Sequence, residues 1–131
     1  MRDGVGPEIR WHSLKGVDGS PAAAPYADEI CDLRDYHSTV DGIFMRHILE
    51  HNWDWNVILA NVMNSFTKRF VLVLFTPFSE NTHALQPLGL IDLSFEQEDI
   101  TCFFVGCEWR VETLHTDTQY GIEHVFYVER V

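Results

Sequence analysis

Phe70-Val-Leu-Val-Leu-Phe75 is apolar without a break and is stopped by Thr76-Pro77. A strand with one wet face alternates polar and apolar residues, whereas one that is apolar throughout is covered on both faces. The run therefore predicts a buried central strand flanked by helices. Upstream, Ile48, Leu49, Trp55, Ile58, Leu59, Val62, Met63 and Phe66 recur at steps of three and four, which predicts a helix over roughly His47 to Lys68. Val40-Asp-Gly-Ile-Phe-Met45 reads as a strand feeding that helix. Strand, helix and buried strand with short connections form a βαβ unit.

Downstream, the pattern changes. Ser79 to Gly89 reads as a loop or irregular helix, and Gln97 to Val105 as a short helix with Ile100, Phe103 and Phe104 apolar. Trp109 to His115 and His124 to Val131 alternate, with Val125, Tyr127 and Val131 on one side. The turn-rich Thr116–Gly121 joins them, so they predict an antiparallel hairpin at a sheet edge. Upstream of residue 40, Trp11 to Asp18 and Asp28 to Leu33 read as short strands. Between them Ser20-Pro21 has the form of a helix start, cut short by Pro25. Residues 1–10 read as a loop or truncated helix. The sum is one α/β domain over 1–131, with a mostly parallel sheet and a C-terminal antiparallel β-hairpin.

Composition bounds the function. The 131 residues are 46% apolar and 13% aromatic, enough for a packed core and too apolar for disorder. A net charge of −11 repels phosphates and anionic lipid, so neither nucleic acid nor a membrane surface is an expected partner through charge. No apolar run approaches the roughly 20 residues of a membrane helix, and no secretory pattern follows Arg2. Cys31, Cys102 and Cys107 are odd in number and lack zinc spacing, which fits a reducing cytoplasm; they read as small apolar packing residues.

Three short motifs carry chemistry. His47-Ile-Leu-Glu-His51 has the letters of the inverted zinc-peptidase signature, two histidines one helical turn apart with a glutamate beside them. No well-placed third ligand follows, so no metal is expected and a zinc hydrolase is the weakest reading. Gly16-Val-Asp18-Gly-Ser-Pro21 puts an acid at the end of a strand, where α/β nucleotide sites hold ribose hydroxyls; its bland reading is a tight turn. Cys31-Asp-Leu-Arg-Asp-Tyr36 ends the next strand, where an Asp can accept from an exocyclic amine; its bland reading is a solvated loop.

Taken in order, "LKGVDGSPAAA", "CDLRDY", "DGIFMRHILEH", "RFVLVLF" and the terminal hairpin resemble a class I S-adenosylmethionine-dependent methyltransferase from about Trp11 onward. The resemblance implies a partial Rossmann-like methyltransferase fold. It implies that Asp18 holds the cofactor's ribose, that Asp32 and Leu33 hold its adenine, and that Arg46 and His47 border the methyl donor. The cofactor implied is S-adenosylmethionine. The "HILEH" string is then a motif of that family rather than a metal site. One family feature is missing, since no strand with a Gly-rich loop precedes Gly4 and Gly6. This predicts an incomplete domain, inactive alone, completed by a homodimer or a second chain. The alternative is a non-catalytic binding or assembly module of the same fold. If the methyl acceptor is a hydroxyl or an amine, His47 and His51 are the candidate catalytic bases, and the sequence does not rank them.

Overall fold

The computed structural model describes residues 15–18, 29–85, 89 and 91–131, with the side chain of Asp18 outside that set. The expectations for residues 1–14, and for a helix start at Ser20-Pro21, lie outside the described residues. The chain divides after Leu33 into two compact units.

The first unit holds two short strands, β1 (Val17–Asp18) and β2 (Glu29–Ile30). They pair in parallel, Val17 opposite Glu29 and Asp18 opposite Ile30. The Glu29 N–H donates to the Gly16 carbonyl at 3.0 Å, and Lys15 pairs with the Glu29 carboxylate at 2.5 Å. Both strands are shorter than their sequence patterns predict. A 3-10 turn over Leu33–Asp35 follows β2 where the sequence read as the end of a strand.

The second unit is a four-stranded sheet in the order β3-β4-β8-β7, built from β3 (Val40–Arg46), β4 (Phe66–Leu74), β7 (Cys107–His115) and β8 (Ile122–Arg130). β3 and β4 run parallel, whereas β8 is antiparallel to both β4 and β7. The expected parallel step and terminal hairpin are therefore both present, and they share one sheet. β4 lies inside it, with Phe70, Leu72 and Leu74 fully buried.

Between β3 and β4 the helix is much shorter than the predicted span. A 3-10 turn over Leu49–His51 comes first, then α1 over Trp55–Met63. Asp54 opens α1, its carbonyl accepting from the Val57 and Ile58 N–H groups. Ile58, Leu59, Val62 and Met63 form its buried stripe, as the spacing predicts. The other end fails because sheet pairing overrides the helical period: Phe66 lies opposite Val40 on β3 and its ring packs 5.5 Å from that of Phe70, so residues 66–68 extend the strand. Asn64 and Ser65, weak helix formers, make the break.

The described part of Ser79–Gly89 is neither a plain loop nor a helix. It carries β5 (His83–Ala84), paired antiparallel with β6 (Leu93–Ser94). The predicted helix at Gln97 is α2, Gln97–Thr101, which buries Ile100. Behind it Phe104 packs on Phe126 at 5.6 Å between ring centres. Arg130 donates to the Met63 carbonyl at the end of α1 and lies 4.1 Å over the Phe66 ring, tying β8 to the helix. Val131 lies past β8 and is exposed, so it does not extend the buried side of that strand. None of the three cysteines is buried, which corrects their reading as packing residues. Among the described residues, no helix is long and apolar enough to cross a membrane.

Candidate functional site

β3 ends at Arg46, and the next residue turns sharply. His47 has φ +56°, the single non-glycine positive φ among the described residues. Side chains other than glycine enter this region at a steric cost. The turn keeps the His47 N–H on the Val73 carbonyl at 3.0 Å while the ring swings towards β8. There its Nε2 lies 2.5 Å from Glu123 Oε2, and Arg46 Nη2 reaches the same oxygen at 3.2 Å. Glu123 is nearly buried, so its charge is answered by a guanidinium and an imidazole at the carboxyl end of β3.

Phe75, one residue past β4, forms the centre of the cluster. The rings of His47, His51 and Tyr120 stand 4.8, 5.5 and 5.9 Å from it. Beneath them Glu50 is fully buried, and its Oε2 accepts the Phe75 N–H at 2.5 Å while Oε1 has no partner. Burial pushes its carboxyl up to about 7, against the opposing pull of the Phe75 hydrogen bond.

His51 is held from the far side. Its Nδ1 lies 2.9 Å from the Ile91 carbonyl and 3.4 Å from Asp92 Oδ1. The Tyr120 hydroxyl donates to the other Asp92 oxygen at 2.8 Å. Burial, then the bond to Asp92, raises the Tyr120 hydroxyl above its usual range. On β8, His124 stacks on Phe78 at 3.8 Å and its Nδ1 meets the Thr113 hydroxyl at 2.8 Å. Burial lowers its affinity for a second proton.

The structure thus brings Arg46, His47 and His51 to one end of the sheet in the second unit. Asp18, Asp32 and Leu33 belong to the first unit. Asp18 ends β1; Asp32 is exposed and Leu33 half-buried, both just past β2. The zinc reading is not favoured. His47 precedes the 3-10 turn in a left-handed conformation, so it and His51 share no helix face, and Glu50 is turned inward onto Phe75. Among the described residues no three His, Cys, Asp or Glu side chains are grouped to hold a metal ion.

Sequence reasoning missed Glu123, Asp92, Tyr120 and Phe75. One signal for Glu123 was available, a carboxylate inside the apolar run Ile122–Val128. The open groove on the outer sheet face contains none of these groups. In it Arg69 pairs with Glu129 at 3.0 Å and Arg110 lies 4.0 Å over the Tyr127 ring.

This element order is the class I S-adenosylmethionine-dependent methyltransferase fold. Among solved structures, the chain resembles the magnesium protoporphyrin IX methyltransferase of Synechocystis PCC 6803 with bound S-adenosylhomocysteine. The TM-score is 0.58 and the identity 15%, over 84% of this chain and 55% of that one. It also resembles the 1,6-didemethyltoxoflavin-N1-methyltransferase of Burkholderia thailandensis, at TM-score 0.59 and 14% identity, over 87% of this chain and 59% of that one. A third is an S-adenosylmethionine-dependent methyltransferase from Mesorhizobium loti, at 0.54 and 13%, over 88% and 79%. The chain thus spans little more than half the length of the first two. No protein-family model matches it, and no curated protein matches it.

Proposed function

We propose that this chain is a methyltransferase domain that uses S-adenosylmethionine. One observation carries the reading. Asp18 ends β1 opposite Ile30, and Asp32 follows two residues after Ile30 on the neighbouring parallel strand. Both acidic residues therefore fall at the same end of the pair, Asp32 two residues beyond the partner of Asp18. A carboxylate that accepts twice suits the vicinal diol of a ribose, and a second acceptor suits an exocyclic adenine amine. Leu33 adds a half-buried apolar side chain next to Asp32. These residue types suit an adenosine group. When bound, the cofactor supplies an electrophilic sulfonium methyl. Its transfer depends chiefly on in-line positioning.

The fold shared with structures holding S-adenosylhomocysteine supports the reading. The odd number of cysteines suits a reducing compartment, the cytoplasm. Calorimetry with S-adenosylhomocysteine tests the proposal. Asp18→Ala removes a hydrogen bond to a charged group, about 1.5–3 kcal/mol, and weakens binding roughly 10- to 100-fold. No heat at millimolar ligand for the wild type ends it. Methyl transfer by the purified chain that disappears in Asp18→Ala excludes the alternative, a non-catalytic assembly module.

A further inference from the structure

We propose that β7 is an interaction surface for a second copy of this chain, the two β7 strands pairing antiparallel across a two-fold axis at Val111. β7 is an edge of its sheet, bonded to β8 alone among the described residues. Edge strands are commonly blunted by a proline, a bulge, a lysine or sheer shortness. β7 has none of these: it runs nine residues, Cys107–His115, in one unbroken register with β8. The opposite edge, β3, is shorter. Its register with β4 shifts between Val40 and Gly42, and the left-handed turn at His47 ends it. The interface lies within the second unit and does not depend on the methyltransferase reading.

Two hydrogen bonds fix which backbone groups β7 leaves open. The Thr116 N–H donates to the Gly121 carbonyl, and the Val131 N–H donates to the Gly106 carbonyl. Backbone direction alternates along an antiparallel strand, so the even-numbered residues of β7 turn to β8. Cys107, Trp109, Val111, Thr113 and His115 turn their N–H and carbonyl groups to the free edge. A two-fold axis normal to the sheet keeps each face on its own side, so it must pass through a residue position. Val111 is the middle residue of β7. With the axis there, the open residues pair among themselves: Val111 with Val111, Trp109 with Thr113, and Cys107 with His115 of the second copy.

Charge complementarity selects a second copy as the occupant. In this register Arg110 lies opposite Glu112 of the second copy, and Glu112 lies opposite its Arg110. Directly opposed side chains of an antiparallel pair stand about 4.5–5.5 Å apart at Cβ, where opposite charges attract and like charges repel. Both side chains are already drawn to one face. Arg110 lies 4.0 Å over the Tyr127 ring, and the Tyr127 hydroxyl donates to Glu112 at 3.2 Å. A chain of net charge −11 repels its own copies in general, so the reciprocal pairs make this one register attractive. On the other face Val111 meets its own image, and Trp109, 41% exposed, gains cover from Thr113 of the second copy. The two four-stranded sheets become one, the order β3-β4-β8-β7 continuing into its two-fold image.

Sedimentation equilibrium and amide hydrogen exchange on the full chain test this. The wild type is expected to sediment at twice 15.2 kDa. Arg110→Glu sets glutamate against glutamate, and Glu112→Arg sets arginine against arginine. Each alone is expected to dimerise at least about 10-fold more weakly. An equal mixture of the two variants puts opposite charges back at both positions, and so does the double variant R110E/E112R. Both are expected to return the wild-type mass, which also shows that the variants fold. In the wild type, exchange is expected to be slow at the Trp109, Val111 and Thr113 amides and to quicken there in Arg110→Glu. The Glu112 and Leu114 amides, on either side of Thr113, separate the dimer from the fold, since Glu112 and Leu114 turn to β8 and stay slow in both. A wild type that is monomeric at every concentration up to about 1 mM overturns the proposal. So does a dimer indifferent to both reversals, a mixture and double variant that stay monomeric, or protection gained at the Phe44 amide of β3 in place of Val111.

Discussion

Replacing Glu50 by glutamine keeps the shape of a fully buried side chain and removes its charge. The carboxyl has a value of about 7 in the folded chain against an ordinary 4.5. Between these two pH values the folded chain retains a proton that the unfolded chain has released. Stability therefore falls as pH rises through the window. The contribution is complete below 4.5 and gone above about 7. At 1.36 kcal/mol per unit, the whole loss from this group is about 3 kcal/mol. His51 pulls against the rise and Asp92 adds to it, so both belong to the same balance. In Glu50→Gln the amide oxygen still accepts the Phe75 N–H. The amide nitrogen then occupies the place of the unpartnered Oε1, at a cost of about 1–3 kcal/mol that does not change with pH. Urea denaturation at pH 4.5, 6 and 8 reads both effects. The variant is expected to be less stable than the wild type at pH 4.5, to lose the downward slope between 4.5 and 7, and to close or reverse the deficit by pH 8. An identical slope in both proteins refutes the argument, since Glu50 would then titrate as an ordinary surface acid.

Other predictions separate backbone from side chain and charge from packing. At His47, glycine tolerates φ +56° and valine does not, so His47→Val is expected to unfold about 1–2 kcal/mol more easily than His47→Gly in urea; equal stabilities would deny the left-handed turn. His124 is held neutral by burial, so the unfolded chain binds the extra proton first. Stability from this group is present above about pH 6.5 and is lost as pH falls below it. Its ring signals in nuclear magnetic resonance should titrate later than those of a free histidine on acidification, and an ordinary midpoint would contradict the burial argument. β7 and β3 each pair along one side only among the described residues, and β7 pairing with β7 of a second copy is the form expected for the homodimer. Sedimentation equilibrium should then give twice 15.2 kDa, and a monomer at every concentration ends that expectation.

Local pattern alone determined much of this fold. The apolar run at Phe70–Phe75 identifies β4 because a strand covered on both faces needs no polar side. The alternations around Trp109 and Val125 identify the hairpin because period two is a property of the strand itself. Ordered motifs likewise placed Asp18 and Asp32 after strands. Element ends were harder to read. Ile48 and Leu49 keep helical spacing yet form a 3-10 turn, and Phe66 keeps it too yet begins β4. Either period fits a few residues; only pairing with Val40 across the sheet decides for the strand. The cluster around Phe75 was beyond the sequence for a different reason. His47 meets Glu123 across 76 positions and His51 meets Asp92 across 41. No spacing rule relates residues so far apart along the chain. Pairing β8 against β4 brings Glu123 to the carboxyl end of β3, and the left-handed turn at His47 aims the ring at it. The sequence supplied the imidazoles and the carboxylates; tertiary packing alone chose which carboxylate each imidazole meets.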